Sequence, residues 1–441
     1  MSTVERVMVR MYQVGFGDCF LLSLEYDEPL PDGRAERHIL IDYGSTRSAR
    51  KDRAKGRMKD VAHLIREHTH GQLDVVVLTH RHKDHLFGFS DDTGAATLRS
   101  LEPKLVLRPW TEDPGLPAQA DGPAVAVAAG TEPAGPDSVG VASARFARSL
   151  SEAQEAAGRL AARSGLHAGL KAAAEEQLKN AEAVALLDEL AAQQAGKYLF
   201  AGCDAGTASL VPGLEVTVLG PATVEQDARV AKQAEEHAEY WMAALCASLH
   251  EAAGPTTSTR ADAESRVPVG PGPVRWLIER LGEQKTHSVT RLVRKLDDAL
   301  NNTSLILLLE VGGLSMLLPG DAQIEDWQFT LDQLADNAEL KAKLTGIDLY
   351  KVGHHGSRNA TPRSLHALWA DRPDTLPPLT ALMSTRPDVH GESEATAVPR
   401  ATLVTALKQV ATLISTDDLD QGQTFVEIVA ETTGGPFRLA P

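Results

Sequence analysis

The chain has 441 residues, 43% hydrophobic and 24% charged, a balance too apolar for a disordered protein and ample for a large core; length alone suggests two or three domains. A formal charge of −16 argues against indiscriminate coating of nucleic acid, but it leaves room for a phosphate-bearing substrate, because metal ions dominate the field inside their own site. No window reaches the roughly 18 uninterrupted apolar residues of a membrane span. Cys19, Cys203 and Cys246, scattered and without CxxC spacing, fit neither a disulfide framework nor a thiolate metal site, and point to a reducing cytoplasm.

The N-terminus, Met1 to Met11, alternates charged and apolar residues and reads as a first strand, not a signal peptide. The strand continues through Val7–Val14, and Gly15-Phe16-Gly17-Asp18 turns into the apolar run Cys19–Leu24. A third strand, His38–Asp42, closes on Tyr43-Gly44-Ser45, and helical spacing of Val61, Leu64 and Ile65 predicts a helix from Met58 to His68. Leu73–Leu78 is a short buried strand that ends on Thr79-His80. Residues 111–140 have the Pro, Gly and Ala content of a linker, and 141–194 read as helical. Leu214–Pro221 returns to strand character. A second helical stretch, 224–253, is followed by a Gly/Pro/Ser/Thr segment, 254–273, expected to be mobile, and another helix, 274–300. Ser304–Val311, Gly312-Gly313 and Leu314–Leu318 form a hairpin running into Pro319-Gly320-Asp321. A helix at 323–344, strands at Ile347–Val352, Leu379–Met383 and Gln423–Val429, and a helix at Arg400–Leu407 complete the pattern. Strands and helices interleave through one α/β (α+β) domain, divided as 1–112, an insertion at 113–197, core strands at 198–223, a second insertion at 224–300, and 301–441.

Thr79-His80-Arg81-His82-Lys83-Asp84-His85 carries the strongest chemical signal: four potential ligands within six residues, directly after a hydrophobic strand. Imidazole and carboxylate suit zinc, manganese or iron. Alternation points His80 and His82 the same way, and Asp84 and His85, at a turn, face a neighbouring metal. Asp321 ends a hydrophobic hairpin strand, where burial is costly unless a cation or hydrogen bonds compensate it.

THRHKDH resembles the HxHxDH signature of the metallo-β-lactamase fold superfamily. VGFGDC at 14–19, the LID of Leu40–Asp42, Asn301-Asn302-Thr303-Ser304-Leu305, LLPGDA around Asp321 and KVGHHGS around His354 are similar to its ComEC-type branch, named for the hydrolase domain of DNA-uptake competence proteins. The matches cover about 1–110, 200–222 and 300–430. The resemblance implies a four-layered αβ/βα metallo-β-lactamase sandwich carrying two helical insertions. It implies two divalent ions, zinc or manganese: His80 and His82 on the first, Asp84 and His85 on the second, Asp321 bridging, and a histidine of HHGS completing the second site. His354, first off its strand, is expected to be that ligand, with His355 next to it for proton transfer and Asp84 also orienting the nucleophile. Relatives place a third histidine on the first metal where this chain has Asn301-Asn302, so that site is expected to be weaker or to prefer manganese. Asn302, Ser357, Arg386 and His390 are expected at the substrate; Arg81, Lys83 and Asp18 have equally good readings as solvated charges or a turn. His63, His68 and His70 read as packing or solvent-facing, and His237, His250 and His287 as ordinary.

The resulting expectation is a cytoplasmic metal-dependent hydrolase acting on a phosphodiester, a nuclease or small phosphodiesterase, with Lys351, Arg358 or Arg386 as cations for the phosphate. Two rivals stand beside it. One is a hydrolase of a lactone, thioester or β-lactam, since the same hydroxide attacks carbon. The other is a protein-interaction component whose metal regulates or stabilises, with the helical insertions as a surface for a partner or self-association.

Overall fold

The computed structural model describes residues 2–46, 57–113, 144, 147, 180–227, 301–357, 360–387, 389, 397–420, 422–433 and 435–440. In chain order these form β1 (Val4–Tyr12), β2 (Cys19–Tyr26), β3 (Glu36–Tyr43), α1 (Arg57–His68), β4 (Val75–Val77), α2 (Lys83–Ser90), α3 (Asp92–Leu101), β5 (Leu105–Pro109), α4 (Asn180–Gln193), β6 (Gly196–Leu199) and β7 (Leu214–Gly220). The second half supplies β8 (Ile306–Val311), β9 (Leu314–Leu318), α5 (Ile324–Gln333), α6 (Ala338–Thr345), β10 (Leu349–Lys351), α7 (Arg363–Ala370), β11 (Leu379–Met383), α8 (Ala401–Val410), β12 (Ala411–Ser415), β13 (Phe425–Glu431) and β14 (Arg438–Leu439). The fold is mixed α/β: two mixed sheets and, among the described residues, eight α-helices.

The first sheet has the order β14-β13-β1-β2-β3-β4-β5-β6, antiparallel through β3 and parallel from β3 onward. The second, β12-β11-β10-β9-β8-β7, is parallel from β12 to β9 and antiparallel from β9 to β7. Period-2 alternation assigns the faces. Val7, Val9, Leu22, Leu24, Ile39, Ile41, Val75 and Val77 share one core cluster with Leu307, Leu309, Leu314, Met316, Leu349 and Leu382, so this core takes side chains from both sheets. The alternate residues Leu21, Leu40, Val76 and Val106 cluster with Val61 and Ile65 of α1, Phe89 of α2, Leu98 of α3 and Leu187 of α4. Leu308, Leu317, Tyr350 and Ala381 cluster likewise with Trp327 of α5, Leu344 of α6, Leu365 and Trp369 of α7 and Leu407 of α8. Strands buried on both faces read as continuous apolar runs, which is why LDVVVL and SLILLLEV stand out.

Several expectations need correcting. The single helix at 323–344 is two: the chain leaves α5 at Leu334, and Asn337 caps α6 by accepting from the Leu340 amide at 2.9 Å. Asp84 and His85 are not in a plain turn but in the first turn of α2, which follows the extended His82. Of the first insertion, α4 is described and packs on the core formed by α2 and α3; the linker from 114, the rest of that helical stretch apart from Ala144 and Ala147, and the second insertion from 228 to 300 lie outside the described residues. His68 is a packing histidine: it stacks on Tyr12 with ring centroids 5.9 Å apart, and burial pushes its pKa down to about 4.

Asp326, on α5, is fully buried beside Trp327, and neither carboxylate oxygen has a hydrogen-bond partner among the described residues. Burial, aided by Glu325, raises its pKa well above the ordinary carboxylate range. The folded chain therefore holds a proton that the unfolded chain loses near pH ~4, so this group subtracts stability as pH rises above that value. Asp326→Asn is expected to raise the melting temperature at neutral pH and to flatten its decline between acid and neutral pH, as thermal melts across that range would show.

Candidate metal centre

The chemistry-bearing residues sit at one edge, where the carboxyl ends of β3 and β4 in one sheet meet those of β9, β10 and β11 in the other. Two contacts join the sheets here. The Leu305 amide donates to the Thr79 carbonyl at 3.0 Å, and Gly320, at φ +54°, packs so closely on Thr79 and Ser304 that a Cβ would lie 2.9 Å and 3.1 Å from their Cβ atoms. The turn after β9 is thereby pressed against the motif after β4. The Asp321 amide is held by Ser304 Oγ at 3.3 Å.

One ligand group follows from this placement. His355 Nε2 is 3.0 Å from Asp84 Oδ2 and 3.5 Å from Asp321 Oδ2, and His85 Nε2 is 3.0 Å from the same Asp321 oxygen. The four ligand atoms of Asp84, His85, Asp321 and His355 all lie within 4.8 Å of one another, a spacing that can hold a metal ion. Next to them, His80 Nε2 and His82 Nδ1 are 2.9 Å apart, and the His80 and His85 rings approach to 4.2 Å. Helix α2 adds to the placement: with His82 extended as its N-cap, Asp84 falls in the first turn, where the helix dipole favours an anion.

Behind these residues stands a shell that orients them. Asp42, fully buried at the end of β3, accepts from the Thr79 amide at 2.8 Å, from Thr79 Oγ1 at 2.7 Å and from His85 Nδ1 at 2.7 Å. His355 Nδ1 lies 3.0 Å from the Ser384 carbonyl, which can only accept, so the proton sits on Nδ1 and Nε2 faces the group. Asp18 is tied in by its amide, which donates to the Asp84 carbonyl at 2.8 Å, and its Oδ1 lies 3.4 Å from His355 Nδ1. Backbone strain concentrates here: three of the five described non-glycine residues with positive φ are Asp42 (56°), His354 (43°) and His355 (52°).

The electrostatics call for cations. Asp18, Asp42, Asp84 and Asp321 converge in the fold's interior with one lysine, Lys351, among them. Burial opposes ionisation of Asp321, but His85, Lys351 and His355 hold it well below the usual carboxylate range; Asp84, against the same burial, is held down by its bond to His355 and the charge of His85. In return, although burial disfavours their charge, Asp321 and Asp42 raise His85 well above an ordinary histidine, and Asp321 and Asp18 raise His355 to about 10. Without an ion, protons on the two imidazoles supply the positive charge that the carboxylates require. His80 is the opposite case: burial and the neighbouring His85 and His82 keep it neutral, the form in which imidazole ligates. The buried His/Asp set thus fits a divalent ion; its donors suit zinc or manganese alike.

Of the residues singled out in the sequence, His80, His82, Asp84, His85 and Asp321 lie close together. Of the HHGS histidines, it is the His355 ring and not the expected His354 ring that lies in the group. His354 gives its backbone amide to Asp321 Oδ1 at 2.9 Å and keeps a half-buried ring, whereas the fully buried His355 ring enters the group. Strand order misleads here because both residues are left-handed, so the chain turns inward one residue later than an extended segment would. Asn301 and Asn302 are buried beside Ser304, with Asn301 Oδ1 and Nδ2 and Asn302 Oδ1 unpartnered among the described residues; Ser357 Oγ, on the turn after His355, is likewise buried and unpartnered. Arg386 is half-buried beyond β11, and His390 and Arg358 lie outside the described residues. Arg81 is paired with the buried Glu112 at 3.2 Å and Lys83 lies over the Phe87 ring, so both have contacts within the fold. Asp42 carried no role in the sequence reading beyond its place in the LID resemblance, although an acid ending the apolar run HILID is the same signal that marked Asp321.

Comparison with protein-family models and with curated proteins finds no match for this chain.

Proposed function

We propose that the chain is a metal-dependent hydrolase of the metallo-β-lactamase type, built as a four-layered αβ/βα sandwich, with its centre at Asp84, His85, Asp321 and His355 and a second position at His80 and His82. The observation that carries the reading is the convergence of Asp84, His85, Asp321 and His355 from three chain segments, their ligand atoms within 4.8 Å of one another, beside the His80–His82 pair. The arrangement of the cores supports the layering, since each sheet has helices on the face turned away from the shared core. Order along the chain supports the family, with HxHxDH after β4, an aspartate after β9 and a histidine after β10.

A divalent ion in such a site lowers the pKa of a bound water to near 7 and stabilises charge that develops on the substrate. The chain's own residues do the rest. Asp42 and Ser384 keep the protons of His85 and His355 on Nδ1, so both rings present Nε2. Asp84, the least buried of the four, has one oxygen on His355 and is the group placed to orient a water. Asn302 and Ser357 would supply neutral hydrogen-bond donors for substrate oxygens.

A phosphodiester remains the proposed substrate, on the ComEC-type resemblance, and it needs cations at the mouth. Lys351 does not serve there, because its ammonium is buried among protein acceptors. With manganese or zinc the protein is expected to hydrolyse bis-p-nitrophenyl phosphate, with activity abolished by chelation and restored by the metal. Turnover of a lactone or thioester with none of the phosphodiester, or of single-stranded DNA, would transfer the reading to carbonyl chemistry. Among the described residues no helix is long and apolar enough to cross a membrane.

A further inference from the structure

Lys351 ends β10, three residues before His354 of the HHGS turn, and its side chain is only 5% exposed. Its Nζ lies 2.5 Å from Asp18 Oδ2, 2.7 Å from the Gly320 carbonyl and 3.2 Å from Asp321 Oδ1. An ammonium has three protons, and three acceptors meet it. Asp321 Oδ1 is therefore shared between Lys351 and the His354 amide, while Oδ2 is the oxygen turned to His85 and His355. Asp18 has the matching arrangement: Oδ2 on Lys351 and Oδ1 toward His355 Nδ1. The lysine thus contacts the backbone of the β9 turn, one proposed ligand and the acid behind another.

We propose that Lys351 is a resident cation of the centre, a positioning residue that neutralises Asp18 and Asp321 from inside the fold so that the ligand set is assembled before any metal ion enters. The inference rests on the metal-centre reading above, and not on the identity of the substrate. Its physical basis is that two buried carboxylates without a cation are strongly destabilising, and removing one partner of a buried pair leaves the other uncompensated. Many small metal-binding domains take that compensation from the ion itself and are unfolded without it. Here a side chain already supplies part of it, on Asp321 Oδ1, the oxygen turned away from His85 and His355.

The test is a thermal-melting cycle on the full chain: wild type, Lys351→Met, and Asp18→Asn combined with Lys351→Met, each in chelator and each with saturating Zn²⁺. Methionine keeps most of the volume and removes the charge. In chelator Lys351→Met is expected to melt about 3–5 °C lower than wild type. Zinc is expected to raise the melting temperature of this variant more than that of wild type, recovering roughly half of the loss, because the ion takes over Asp321. Removing the orphaned acid as well should return at least half of the loss without any metal. If Lys351→Met does not fold in chelator, the double variant must do so. Where zinc stabilises wild type, equal losses with and without it would overturn the proposal; a loss under about 1 °C in chelator, or a double variant no better than the single, would overturn it in any case. Failure of the metal-centre reading has a different signature: wild type then gains nothing from zinc or manganese, while the chelator arms still decide whether Lys351 compensates Asp18 and Asp321.

Discussion

His355→Ala is expected to weaken binding of Zn²⁺ or Mn²⁺ by more than about 100-fold, whereas His354→Ala should leave it within roughly threefold. The two residues are adjacent and alike, so this contrast isolates geometry from composition. His355 puts Nε2 3.0 Å from Asp84 Oδ2 and 3.5 Å from Asp321 Oδ2, and its removal takes one of the four proposed ligands. Outer-shell partners of metal ligands commonly account for 10–100-fold in affinity, and a direct ligand should exceed that range. His354 contributes to Asp321 through its backbone amide, which alanine retains. Alanine fits the left-handed backbone less well than histidine, but both positions are left-handed and both variants bear that cost, so a large effect of His354→Ala on metal binding would place its ring, and not its amide, at the ion. Equilibrium dialysis against each metal measures both variants directly.

Gly44→Ala is the second large effect, and it acts without touching a ligand side chain. Gly44 lies against the start of α2 so closely that a Cβ would lie 2.3 Å from the Asp84 carbonyl carbon and the His85 amide nitrogen. Both are backbone atoms of the ligand segment, held by the Asp18 amide on the Asp84 carbonyl and by His85 Nδ1 on Asp42, so they have little room to yield. Overpacking of this kind costs about 1–3 kcal/mol and occasionally more. We expect at least about 3 kcal/mol here, together with loss of tight metal binding, since the shift would separate Asp84 and His85 from Asp321. Gly435, around which a Cβ would meet nothing within 4 Å, is the control: Gly435→Ala should change stability by no more than about 0.5 kcal/mol. Denaturant melts of the two variants give the comparison.

Much of this architecture could be read from local pattern, and the parts that could not have identifiable causes. Apolar runs buried on both faces, such as Val75–Val77 and Ile306–Val311, announce themselves, as does a hairpin marked by Gly312-Gly313. The same rule passed over β5, β6 and β12, which are four or five residues long and bordered by charged or small residues, so their pairing and not their sequence makes them strands. Helix α2 was read as a turn because KDHLFGFS is short and contains Gly88, whose missing side chain lets the helix sit on the Tyr43 ring. At the centre, HxHxDH and Asp321 are legible because these potential ligands follow strands directly. His355 is not legible in this way, because two successive left-handed residues turn the chain so that the first histidine off the strand is not the one whose ring enters the group. The bonds of Lys351 to Asp18 and of Asp42 to Thr79 and His85 join segments far apart in sequence, and nothing local in any of them specifies the partner.

Anomalous diffraction from crystals equilibrated with Zn²⁺ tests the central claim most directly. The account predicts the strongest zinc peak within ligating distance, about 2.0–2.2 Å, of His85 Nε2, His355 Nε2, Asp84 and Asp321, with any weaker second peak at His80 Nε2 and His82 Nδ1. A strongest peak elsewhere in the molecule, or no zinc at these residues under saturating conditions, would contradict it.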